Sequence, residues 1–391
     1  MEKLIVKNFG PIKEAEIDLT KYVVFIGDTS TGKSVLGKLI SIFRDVDFSI
    51  KKPNIIKFQK MLDFYNIDFN FNNSIIEYNC NDYNTKLENN QFFFEGDIVN
   101  DDSNDINYKR HVDELLDSVN KLKNSSNEID DESKNQLFNV VKKLITDFKG
   151  TELKQTIYFP AERILNSIIG SSISGLWANN IALPSYFKNF SAKYEVARMS
   201  SKSTNFEDFG FKYYFENEID KIVINDNKIL LAQASSGIQS LIPLLLVLDY
   251  SLSKSEFKID QSLLIEEPEL NLFPIKQKTL IDYIVKSIND TNDKIVFTTH
   301  SPYILSSLDT LILAKNTFNE HPNLKERISN IVSEDKWIDY DDISVYEVRN
   351  DGKVYSIKNN EFKSIDANAI DSVSDIISED YDKLISIRYA Q

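Results

Sequence analysis

Short apolar runs broken by polar residues open the chain. "KLIVKNF" (3–9), "EAEIDL" (14–19) and "YVVFIG" (22–27) read as three strands, with Gly10 and Pro11 marking the first turn. Residues 23–26 are apolar without interruption, the pattern of a strand buried on both faces, and residues 34–40 then shift to a helical period. Residues 45–106 are rich in Asn, Asp and Phe. Their alternation predicts short strands and loops, and the supply of aromatics argues against disorder. Two helical patterns follow, "YKRHVDELLDSVNKLK" (108–123) and "ESKNQLFNVVKKLITDF" (132–148), separated by the polar "NSSNEIDD". They predict a short antiparallel helix pair, each arm only about 25 Å long.

The second half of the pattern is clearer. "QTIYFPAERI" (155–164) reads as a strand breaking at Pro160 into a loop and helix, whereas 171–206 carries few strong signals. Residues 211–235 read as strands joined by Asn/Asp turns, and 235–252 as a strongly apolar helix. Two further apolar strands end at Glu266 and at Thr299, a hairpin is expected at 343–359, and a closing helix at 369–387. The sum is an α/β chain.

Composition narrows the setting. The chain has 391 residues, which suggests two or three structural units, and 42% of it is apolar. Its single cysteine, Cys80, excludes an intramolecular disulfide and a cysteine-built zinc site. The first residues lack a basic stretch followed by a long apolar run, so no signal peptide is expected. The longest apolar run, 241–248, is far short of the ~20 residues that cross a bilayer, so a cytoplasmic protein with no membrane association is expected. The net charge of −15 does not suit non-specific coating of DNA, and direct DNA binding is left open.

Chemistry enters at 27–34, where Gly27, Asp28, Thr29, Ser30, Thr31, Gly32, Lys33 and Ser34 spell G-x-x-x-x-G-K-S between a strand and a helix. The glycines let the backbone curl until successive N–H groups face phosphate oxygens. Lys33 then reaches the β/γ-phosphates, and Ser34 ligates Mg²⁺. The plain alternative, a glycine-containing turn, does not require this context. Further on, Ser235, Ser236 and Gly237 precede the apolar helix, with Ser236 a good N-cap and Gly237 leaving the first N–H groups open to an anion; a simple helix cap is the competing reading. The strand at 263–265 delivers Glu266 and Glu267 at its carboxyl end, where ligands of open α/β sheets sit. Glu266 suits the Mg²⁺ hydration shell and Glu267 a general base on the attacking water, against the bland reading of an exposed acidic turn. His300 follows the next strand and belongs at the same edge, where it can meet a γ-phosphate or that water.

In order and spacing, "LIVKNFGPIKEAEIDL", the P-loop, "SSGIQSLIPLL", "LLIEEPELNLFP" and "TTHSPYIL" resemble the ABC-type ATPase heads of the RecF, SMC and overcoming-lysogenization-defect (OLD) group. The resemblance implies a P-loop NTPase head with a mixed β-sheet lobe, formed by 1–44 and 151–391, and a helical insertion at 45–150. It assigns Walker A to 27–34, the signature loop to 235–239 including Gln239, Walker B to Glu266 with Glu267, a D-loop to 270–272 and the switch histidine to His300. It implies ATP and Mg²⁺ as ligands and a homodimer or higher homo-oligomer in which the signature loop of one copy covers the γ-phosphate held by the other. Three departures stand out: Glu266 replaces the usual Asp, Ile238 a second glycine, and Glu162-Arg163 the expected glutamine.

A Toprim nuclease, which OLD proteins carry after the head, would need an acidic metal site. The "DYD" at 339–341 lacks that setting and reads as a solvated loop. Heads without their own nuclease resemble ATPase subunits of bacterial anti-phage systems that act with a separate Toprim or HNH nuclease. The expectation is an ATP-driven switch of that kind. A nucleotide-dependent scaffold with little turnover and a RecF-like DNA-repair ATPase are the alternatives.

Overall fold

The computed structural model describes residues 2–49, 53–96, 154–170, 182–252, 260–366 and 368–389. The helix pair expected at 108–123 and 132–148 lies outside them.

Three strands, β1 (Glu2–Phe9), β2 (Ile12–Leu19) and β3 (Tyr22–Gly27), begin the chain as expected, and β3 runs into α1 (Lys33–Arg44). A helix, α2 (Ile55–Phe64), stands where only strands and loops were anticipated. Asn54 caps it by accepting from the Lys57 N–H at 3.0 Å, and Phe58 and Leu62 form its buried edge. The strands β4 (Ile75–Asn79), β5 (Tyr83–Glu88) and β6 (Gln91–Gly96) follow. Because β4 pairs with β1, placing Ile76 beside Val6, these strands continue the first lobe as one antiparallel sheet in the order β2-β1-β4-β5-β6.

After β7 (Gln155–Phe159) come a 3-10 turn (Ala161–Arg163), α3 (Ile164–Ile169) and α4 (Ser185–Ser200). The last is a helix in a stretch that gave few signals. Tyr186, Phe187, Phe190, Tyr194 and Ala197 form its buried stripe at helical spacing, diluted by Ser, Lys and Asn between them. The strands β8 (Ser203–Phe206), β9 (Phe211–Glu216), β10 (Ile219–Ile224) and β11 (Asn227–Leu230) form a four-stranded antiparallel sheet. The apolar helix is α5 (Ser236–Leu252). Beyond it lie β12 (Gln261–Glu266), α6 (Pro274–Ile288), β13 (Lys294–Thr299), α7 (Pro302–Glu320), the hairpin β14 (Ile343–Val348) and β15 (Val354–Ser356), and α8 (Asn368–Tyr389). Among the described residues no helix is long and apolar enough to cross a membrane.

The central sheet runs β15-β14-β3-β13-β12-β7, parallel from β14 to β7. Its strands read as nearly continuous apolar runs because both faces are covered. Val23 and Phe25 pack with α1 and the first lobe, while Tyr22, Val24 and Ile26 face the opposite core with α5 to α7. Register sets Ile26 beside Thr299, Glu266 beside Thr298 and Phe159 beside Ile265, so all four loops leave one edge together. A buried polar joint ties the elements below. Glu2 accepts from Arg44 Nε at 2.6 Å, Lys294 Nζ at 2.7 Å and the Tyr78 hydroxyl at 2.8 Å. Burial alone would raise the Glu2 carboxyl, but Arg44 and Lys294 prevail and bring it down to about 2.

Candidate nucleotide site

The glycine loop needs its glycines. Gly27 has φ 154° and a Cβ there would lie 2.2 Å from the Val348 carbonyl oxygen; Gly32 has φ 107°, with Ile12 Cδ1 at 2.5 Å from the same hypothetical atom. The loop is closed from within: the Thr29 N–H donates to Asp28 Oδ1 at 2.7 Å and the Thr31 hydroxyl to the Asp28 carbonyl at 2.9 Å. Ser30 adopts φ 63° at its tip. Lys33 leads α1 back across the mouth, donating to the carbonyls of Gly27 (3.0 Å) and Asp28 (2.7 Å), and stands 3.4 Å from His300 Nδ1. Burial pulls its ammonium below the ordinary lysine range, although Glu267, Asp28, Glu269 and Glu266 counter the effect.

Two strands away, Glu266 is buried at the end of β12. Its Oε2 accepts from the Tyr158 hydroxyl of β7 at 2.6 Å. Its Oε1 is buried with no hydrogen-bond partner among the described residues, and the Ser34 hydroxyl faces the same carboxylate. Burial pushes this carboxyl up; Lys38, Tyr158 and Ser34 pull it back. Lys38, one turn beyond Ser34, lies over the rings of Tyr158 and Tyr186. An orphaned carboxylate oxygen beside a hydroxyl fits Mg²⁺, a hard cation that keeps several waters and takes one or two protein ligands plus phosphate oxygens. Ser34 and Glu266 are the residues that would hold it.

Glu267 turns out of the strand in the left-handed region, φ 43°. Its N–H donates to the Thr298 carbonyl at 2.8 Å, and its carboxylate Oε1 lies 3.6 Å from His300 Nε2. Lys33, His300 and Glu267 therefore form a row across the edge. Glu269 sets the middle of it, accepting from the Thr299 hydroxyl and the His300 N–H, both at 2.7 Å.

The signature residues occupy a different position. The first helical bond of α5 runs from the Gln239 N–H to the Ser235 carbonyl, so Ser235 takes the cap position and Ser236 the first turn, one residue earlier than expected. Ser235 and Ser236 are exposed, and no hydrogen bond joins them to the Lys33 cluster among the described residues. A Cβ on Gly237 would meet the Asn271 carbonyl at 2.8 Å, so this glycine also serves close packing against the loop after Glu267. The Gln239 amide points inward, donating to the carbonyls of Ala232 (2.9 Å) and Leu231 (3.3 Å). Three supporting residues escaped the sequence reading: Tyr158, Glu269 and Lys38. Glu269 alone left a trace, as a third acid in "EEPE". The "DYD" forms a 3-10 turn capped by Asp339 ahead of β14.

Fold and site together define an ABC-type P-loop ATPase head. A family model described as "AAA ATPase domain" matches residues 1–305, and the chain belongs to that family. No curated protein matches the sequence. Among solved structures, the Smc head bound to the C-winged helix domain of ScpA is similar at 11% identity and a TM-score of 0.41, over 91% of this chain and 96% of that one. The SMC head domain from Thermotoga maritima is similar at 11% and 0.37, over 78% and 90%. The Smc head with an extended coiled coil bound to the C-terminal domain of ScpA, from Pyrococcus furiosus, is similar at 13% and 0.37, over 97% and 99%. At these scores the likenesses add nothing to what the site itself says.

Proposed function

We propose that this chain binds ATP on the 27–34 loop and hydrolyses it, with Glu267 as the general base. The observation that carries this reading is the row Lys33–His300–Glu267, with 3.4 Å and 3.6 Å between successive side chains. Loop N–H groups and Lys33 hold the phosphates. Glu267 orients a water and takes its proton as the water oxygen attacks the γ-phosphorus, and the bond to the β–γ bridging oxygen breaks. His300 lines the path between them. Mg²⁺, when bound, would neutralise phosphate charge, and Ser34 and Glu266 are the residues that would hold it.

Ser235, Ser236 and Gly237 act in this reading on the ATP of a second copy, which the exposure of Ser235 and Ser236 supports. The nucleotide machinery lies in 1–44 and 151–391, and 45–150 is an insertion whose strands β4 to β6 widen the first lobe. The wider role is an ATP-driven switch in an anti-phage system, releasing or restraining a separate Toprim- or HNH-like nuclease. That role rests on the motif resemblance. The test of the chemistry is Glu267→Gln: turnover falls at least about 100-fold while ATP still binds. Turnover within threefold of the unsubstituted chain would remove Glu267 from the reaction.

A further inference from the structure

Arg163 is almost wholly enclosed, 1% exposed, yet among the described residues no ion pair joins its guanidinium to a carboxylate. It donates instead to four carbonyls on three separate segments. Nη1 reaches Glu266 O at 2.7 Å and Pro160 O at 3.2 Å, Nη2 reaches Glu267 O at 2.7 Å, and Nε reaches Ser240 O at 3.2 Å. Two of these targets lie beside irregular backbone: the Glu267 carbonyl, which also accepts from the Leu270 N–H at 3.0 Å, closes a tight turn, and the Ser240 carbonyl follows the one that Pro243 leaves without a helical partner. Glu267 is a non-glycine residue at φ 43°, a conformation that persists only where its surroundings hold it. The first turn of α5 is weakened by Pro243, which has no N–H to return to the Gln239 carbonyl. That carbonyl accepts from the Ser167 hydroxyl at 2.6 Å, and the next one along the chain is the Ser240 carbonyl held by Arg163. The short segment 163–167 thus grips the signature helix with one hand and the backbone of Glu267 with the other.

We propose that Arg163 is a positioning residue for Glu267: its fork fixes the left-handed turn that aims the carboxylate and joins that turn to the seat of the signature helix. The proposal rests on Glu267 acting in hydrolysis, as above. Lysine keeps the charge but is a point donor that cannot span carbonyls on three segments. In the full chain, Arg163→Lys should lower kcat at least about 30-fold while KM and the affinity for a slowly hydrolysed ATP analogue stay within about threefold. Combined with Glu267→Gln, it should cost almost nothing further, because both act through one carboxylate.

The role is overturned if Arg163→Lys keeps kcat within threefold, if analogue affinity falls in step with kcat, or if the losses of the double variant multiply. Should the lysine variant not fold, Arg163→Gln, which keeps two N–H donors, carries the same expectations. Loss of turnover in Glu267→Gln with normal turnover in Arg163→Lys removes the positioning role alone. Normal turnover in Glu267→Gln removes both readings.

Discussion

Glu266 carries one methylene more than the aspartate usual at its position, and the structure accommodates the extra length by pinning one oxygen. The Tyr158 hydroxyl holds Oε2 and leaves Oε1 buried without a hydrogen-bond partner among the described residues, with Ser34 beside the same carboxylate. Tyr158→Phe leaves that Oε2 buried without a donor. We expect the Mg²⁺ concentration needed for nucleotide binding to rise about 10-fold, as removal of an outer-shell partner does elsewhere; a titration with fluorescent nucleotide, in which an unchanged Mg²⁺ requirement counts against the assignment, checks it. Which residues the candidate site gathers was only partly legible beforehand. Lys33, Ser34, Glu266, Glu267 and His300 announce themselves because each tops a strand or opens a helix at fixed spacing. Tyr158 does not, since its place beside Glu266 comes from β7 lying beside β12, a pairing across more than a hundred residues that no local pattern encodes, and Arg163 showed only as a departure at an expected glutamine.

At the scale of elements, the strands of the central sheet were readable as apolar runs, and α5 as a long apolar stretch. The helices α2 and α4 were not. In α4 the buried aromatics repeat at helical spacing, but polar residues of modest helix propensity separate them and mute the signal. The joint of β1, α1 and β13 yields a prediction of its own. Glu2 titrates near 4.5 when unfolded and near 2 when folded, so the folded state gains stability that is full above about pH 4.5 and is lost as pH falls toward 2. The shift is worth roughly 3 kcal/mol. Glu2→Gln should therefore lower stability by about that much at neutral pH, and the gap should narrow between about pH 5 and pH 3 in urea unfolding. A gap independent of pH would locate the loss in packing instead of charge.

For the whole molecule, the open question is whether one chain's helix tip closes its twin's phosphate loop. Two defective chains can answer it. Lys33→Ala spoils the loop and Ser236→Arg spoils the tip. If the pocket is shared, an equal mixture yields mixed dimers with one intact pocket each, and turnover recovers to about a quarter of normal. No recovery on mixing means that each chain works alone, whereas an idle tip would leave Ser236→Arg active by itself. Size measurements with ATP, with ADP and without nucleotide add the second half of the answer, because a ligand shifts assembly only by its preference for the assembled form. The gross architecture, an α/β head with a phosphate loop, was legible from five segments; the continuation of the first lobe through β4 was not, since β1 finds its partner some seventy residues later.

One consequence follows from β13 lying between β3 and β12. Neighbouring strands stand about 4.8 Å apart, so the cation-bearing loop and the acid-bearing turn begin nearly 10 Å from each other. His300 directly follows the dividing strand, at the same edge. Its ring lies between Lys33 Nζ and Glu267 Oε1, 3.4 and 3.6 Å from them, and among the described residues no ion pair joins the two directly.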